Sequence, residues 1–117
     1  MDFLTRLFVT PVPTLTVLQL QEKLKGAKRS FVLDVRQPEE FREMHILGAR
    51  LVALGCLKNS LKDLPKERKI VCVCASGSRS SSAARTLSAA GYQVINMQGG
   101  MSAWSRANLP VKKGMAS

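Results

Sequence analysis

The order of apolar and polar segments predicts an α/β domain, with a mainly parallel sheet and helices packed on its faces. Short apolar runs of strand length alternate with segments of helical period, the signature of βαβ connections. Cap and turn residues stand at nearly every junction between them. The chain of 117 residues, 45% hydrophobic and 22% charged, has room for one domain with a conventional core and is too apolar to be disordered.

Residues 1–12 are read as an N-terminal extension in which Phe3, Leu4, Leu7 and Phe8 share a helical face before Pro11 and Pro13. The domain is placed at 13–112, and 113–117 is a short tail. Thr16 and Gln19 have capping-box spacing and open a helix over 17–25, which Gly26 ends. Residues 31–35 read as a buried strand, β-rich at Phe31, Val32 and Val35. Pro38 begins the next helix, with Glu39 and Glu40 at its positive end. Residues 50–54 are expected to be a strand, and 57–64 a short amphipathic helix closed by Pro65. The clearest strand is 70–73, and the clearest helix is 81–90, with Ala83, Ala84, Leu87 and Ala90 on one face and Gly91 as its stop. A strand over 93–96 and a helix over 100–107 complete the chain.

Several classes are set aside on composition. No apolar window approaches the length of a bilayer span, so no membrane partner is expected. The first residues lack the basic start and long apolar run of a secretory signal, which makes a cytoplasmic location the expectation. Three cysteines are an odd number without a disulfide pattern and read as reduced thiols. A net charge of +10 biases encounter toward anions, but it does not choose among small anions, acidic proteins and nucleic acid. The clusters Lys23, Lys25, Lys28, Arg29 and Lys58, Lys62, Lys66, Arg68, Lys69 are read as solvated surface, and no specific nucleic acid partner is expected.

Ligand sites of open α/β sheets lie beyond the carboxyl ends of the strands. Two polar segments fall there: Asp34, Val35, Arg36, and Cys74, Ala75, Ser76, Gly77, Ser78, Arg79, Ser80. Cys74 stands between a buried strand and a helix start, where free amides favour a thiolate. Gly77 permits a positive φ that curls the intervening amides into a cradle for an anion. Ser76 and Ser78 add hydroxyls, and Arg79 is expected to add a positive charge. Together these would lower the thiol's pKa and activate it as a nucleophile.

The segment from Cys74 to Ser80 is similar to the active loop of rhodanese-like domains, a Cys-x-x-Gly-x-Arg-Ser pattern. Other landmarks of that family follow in order: Leu33, Asp34, Val35, Arg36 with Pro38, Glu39, Glu40, Phe41; His45, Ile46 with Gly48, Ala49; and Gly99, Gly100 with Ala103, Trp104, Leu109, Pro110. The resemblance covers about residues 14–111. It implies a five-stranded sheet with helices on both faces and a sulfurtransferase that carries sulfur as a persulfide on Cys74. The donor would be a small anionic sulfur compound such as thiosulfate, and the acceptor a thiol, cyanide or a protein. No metal or organic cofactor is implied, and a monomer is favoured. Met44 and Leu47 depart from the family's usual Gly and Pro, and Asn108 stands where Gly is common before Leu-Pro. Ala75 leaves the loop without a second basic side chain. A rhodanese-fold module that binds an anion or a protein without turnover is the rival. Cysteine phosphatases and arsenate reductases are weaker, because they use Cys-x5-Arg whereas Cys74 to Arg79 is Cys-x4-Arg.

The remaining candidates have mainly structural readings. Asp34, near the end of an apolar strand, needs a partner such as Arg36, with Asp34, Arg36 and Ser80 supporting the loop. His45 reads as a structural histidine in a turn, Cys72 as core, Cys56 as a buried or incidental thiol, and Trp104 as a core residue over the sheet.

Overall fold

The computed structural model describes residues 11–26 and 28–117. The apolar face expected of Phe3, Leu4, Leu7 and Phe8 lies outside them. Five strands form one sheet: β1 (Thr14–Leu15), β2 (Phe31–Asp34), β3 (Arg50–Leu51), β4 (Ile70–Val73) and β5 (Val94–Met97). Their order is β1-β5-β4-β2-β3, and every pairing is parallel. β4 is central and buried along its whole length, as its unbroken apolar run predicts.

Helices cover both faces, and alternation along the strands divides the core between them. Leu33, Cys72, Cys74 and Val94 face one layer with Ala83, Ala84 and Leu87 of α4 (Ser78–Ala89) and Leu57 of the short α3 (Leu57–Ser60). Val32, Val71, Val73 and Met97 face the other, with Leu20 of α1 (Val17–Leu24), Phe41 of α2 (Pro38–Glu43), and Met101 and Trp104 of α5 (Gly100–Arg106). α1 starts at the Thr16–Gln19 capping box, whose two reciprocal hydrogen bonds are both made. α4 stops at Gly91 (φ +94), where the Gly91 and Tyr92 amides close the last turn onto Ser88 and Leu87. Asn108 closes α5 in the same manner with φ 56, so the departure from Gly is accommodated.

Three boundaries differ from expectation by more than one residue. The strand expected over 50–54 pairs only at Arg50–Leu51; its continuation leaves the sheet and turns as a 3-10 helix at Leu54–Cys56. The helix expected over 57–64 is one α-turn followed by 3-10 geometry at Leu61–Asp63. α4 begins at Ser78, three residues before the expected 81, because Gly77 (φ +108) takes the cap position and its carbonyl accepts from Ser81 N–H.

Candidate functional site

The Cys74 loop leaves the carboxyl end of central β4 and runs directly into α4. Cys74 Sγ accepts hydrogen bonds from the Gly77 amide at 3.0 Å and the Ser80 hydroxyl at 3.3 Å. Ser80 Oγ also lies 3.2 Å from Gly77 O, so one buried hydroxyl ties sulfur and turn together. The loop curls tightly because α5 holds its outer carbonyls: Met101 N–H donates to Cys74 O at 2.8 Å and Ser102 N–H to Ala75 O at 3.0 Å. With those carbonyls turned toward α5, the following amides are free to face the sulfur. Asn96 Nδ2 on β5 donates to Gly77 O at 3.3 Å; its Oδ1 is buried without a partner among the described residues.

Burial pushes the Cys74 thiol up, but the Ser80 hydroxyl and the Ser80, Gly77 and Ser76 amides outweigh it and hold the thiol below its ordinary value. Cys72, two residues back on the same face, has no such donors among the described residues. Burial and then the Cys74 charge push it up to about 12. Of two neighbouring thiols, only the one in the loop is poised to ionise.

Two ion pairs flank the loop. Arg79 is bound through both terminal nitrogens to the Glu40 carboxylate of α2, at 2.9 and 2.8 Å. Glu40 also accepts from Gln37 N–H at 2.9 Å; the Arg79 hydrogen bond, against some burial, holds its carboxyl down at about 2. Asp34 and Arg36 form a buried two-point pair, with Arg36 Nη2 reaching on to Met44 O at 2.7 Å.

The sequence of residues 16–107 matches the family model for the rhodanese-like domain. The chain belongs to the rhodanese-like family. It is 32% identical over 93 residues to a sulfurtransferase of Allochromatium vinosum, spanning 79% of this chain and 87% of that one. The crystal structure of a rhodanese-like domain protein from Staphylococcus aureus superposes with a TM-score of 0.80, at 31% identity over 87% of this chain and all of that one. A rhodanese-related protein from Thermoplasma volcanium gives the same TM-score at 29% identity, over 86% of this chain and 97% of that one. The rhodanese-like domain is thus a homologue of sulfurtransferases.

Within this rhodanese-like domain, Cys74, Gly77 and Ser80 come together as one hydrogen-bonded unit. Ser76 and Ser78 are exposed, their hydroxyls 3.5 Å apart at the loop's rim. The Arg79 guanidinium is engaged by Glu40, and the Cys74 charge adds to what raises its pKa, while the hydrogen bonds that lower Cys74 come from Ser80, Gly77 and Ser76. Asp34 and Arg36 are bound to each other, and Arg36 to Met44 O, with no hydrogen bond from either side chain to the Cys74 loop among the described residues. His45 is buried away from the chemistry: its ring stacks on Phe41 at 3.7 Å, and its nitrogens face the Phe41 and Ala116 carbonyls. Cys56 is exposed in the 3-10 turn, which removes the buried alternative of its expected reading and leaves the incidental one; that segment left the sheet. Trp104 is core, with Nε1–H bound to Pro110 O.

Three residues of the site escaped sequence reasoning as site residues. Glu40 reads from the sequence as a first-turn acid and a family landmark but not as a site residue, because nothing local ties it to a residue 39 positions later. Asn96 did carry a signal, a polar side chain within a buried strand. Gly100 lies so close to the loop that a Cβ there would stand 2.5 Å from the Ala75 carbonyl carbon and oxygen, and closer still to Cys74 O.

Proposed function

We propose that this rhodanese-like domain is a sulfurtransferase whose nucleophile is Cys74, with Ala75, Ser76, Gly77, Ser78 and Arg79 forming the substrate loop. The observation that carries this reading is the sulfur itself: a thiol held toward its anion by an amide and a hydroxyl at the end of a central strand. The thiolate attacks the outer sulfur of a sulfane donor such as thiosulfate. A new sulfur–sulfur bond forms, the donor's own breaks, and its electron pair leaves with the remainder of the donor. Cys74 then holds an anionic persulfide, for which the cradle supplies fixed donors without reorganisation. An acceptor thiolate, cyanide or a partner protein attacks the outer sulfur and returns Cys74 as thiolate. Cys74 lies buried at rest beneath a rim formed by the exposed Ser76 and Ser78. Four residues between Cys74 and Arg79 make a cradle sized for a sulfur atom rather than a tetrahedral phosphate.

Intact-protein mass spectrometry tests this directly. After incubation with thiosulfate or cysteine persulfide, the wild type should gain one sulfur, about 32 Da, removable by cyanide. Cys74→Ser should not gain it, while Cys72→Ala and Cys56→Ala should. No gain from either donor, or a gain that survives Cys74→Ser, would refute the proposal.

A further inference from the structure

The loop from Cys74 to Ser80 contains one charged side chain, Arg79. Both terminal nitrogens of its guanidinium are held on the Glu40 carboxylate, at 2.9 and 2.8 Å, and each side chain remains about a third exposed. The neighbouring cation, Arg36, is likewise consumed by Asp34. Ala75 supplies no charge. The hydrogen-bond donors that the cradle presents are therefore uncharged: amides, the Ser80 hydroxyl at the sulfur, and Ser76 and Ser78 at the rim.

Donors differ in the charge they bring to such a site. When a thiolate attacks thiosulfate, the products are an enzyme persulfide and sulfite, so a doubly charged leaving group develops beside an anionic sulfur. When it attacks a thiol's persulfide, R–S–S⁻, the products are the enzyme persulfide and R–S⁻, so the leaving group carries one charge. Both steps balance without an oxidant or reductant. Only the first calls for a free cation next to the leaving group.

We infer that Glu40 sets the donor class of this site: by holding Arg79 in an ion pair it withholds the loop's only cation, so that persulfides of thiols are preferred over thiosulfate. The inference rests on the sulfur-transfer reading above. Glu40 touches neither donor nor sulfur; it acts through Arg79 as a specificity-determining residue. Gln at position 40 has the same shape and can still accept from Gln37 N–H, but its amide cannot neutralise the guanidinium, which is then free to swing toward the donor.

The experiment measures single-turnover loading of Cys74 by intact mass, against the concentration of thiosulfate and separately of cysteine persulfide. The wild type should half-saturate with persulfide at much lower concentration than with thiosulfate. Glu40→Gln should lower the half-saturating thiosulfate concentration roughly tenfold, the factor of one charged hydrogen bond, with little change for persulfide. Ala75→Lys, which adds a cation and leaves the Glu40–Arg79 pair intact, should shift thiosulfate the same way, and salt should weaken the gain. Ala75→Lys carries the test alone if Glu40→Gln fails to fold. The inference is overturned if the variants leave the ratio of the two donors unchanged, or slow both equally as a purely structural pair would. Absence of loading by either donor in the wild type would instead overturn sulfur transfer itself.

Discussion

Replacing Gly100 by alanine should separate the loop from the helix that supports it. The new Cβ would meet the Cys74 carbonyl oxygen and, at 2.5 Å, the Ala75 carbonyl, all of it backbone that no side-chain rotation can move. Relief to ordinary contact requires α5 and the loop to part by about 1 Å. That displacement breaks the 2.8 and 3.0 Å bonds from Met101 and Ser102 to the two carbonyls, each worth about 1 kcal/mol. Holding alanine at φ +58 adds about 1–2 kcal/mol, so the total is about 3–4 kcal/mol, a large share of a small domain's stability. Gly114 is the internal control: its φ is +95 and nothing lies within 4 Å of a Cβ there, so Gly114→Ala bears the backbone strain alone, about 1–2 kcal/mol. Urea unfolding of both variants reads the difference from their midpoints. Alkylation of Cys74 should also slow in Gly100→Ala and not in Gly114→Ala, because only the first releases the loop. Equal destabilisation of the two, with Cys74 reactivity unchanged in both, would refute the claim that close approach at Gly100 shapes the cradle.

Two further outcomes follow from the charges. Ser80→Ala removes the hydroxyl on Sγ, which raises the Cys74 pKa and slows its alkylation at neutral pH roughly tenfold; in a Cys56→Ser background, iodoacetamide labelling followed by mass over pH 6–9 reads Cys74, since Cys72 at about 12 stays protonated, and an unchanged profile would remove Ser80 from the site. Glu40 is depressed on folding from 4.5 to about 2, so the stability it contributes is fully present above about pH 4.5 and is lost as the pH falls toward 2; the stability gap between wild type and Glu40→Gln should close over that window in acid-unfolding curves, and a constant gap would show that the pair contributes nothing in solution.

Elements that depend on local pattern were legible in the amino-acid order. The unbroken apolar run of β4, the capping box of Thr16 and Gln19, and the stop at Gly91 are signals contained within a few residues, and the structure places those elements as the sequence predicts. The Cys74 loop was legible for the same reason, since strand, glycine turn and helix start are contiguous. Its surroundings were legible only in part: the sequence placed Arg79 beside the sulfur without showing that the fold also pairs Arg79 with Glu40. Tertiary structure alone could decide that, because an ion pair spanning 39 residues depends on the first turns of α2 and α4, which cover opposite faces, coming together at the carboxyl edge of the sheet. β1 escaped because two residues are too short for a period, and the strand expected over 50–54 was cut short because propensity does not say where a neighbour's edge ends. Gly100 and Asn96 complete the pattern. Each matters through a backbone atom of the Cys74 loop that reaches it only once the sheet has formed.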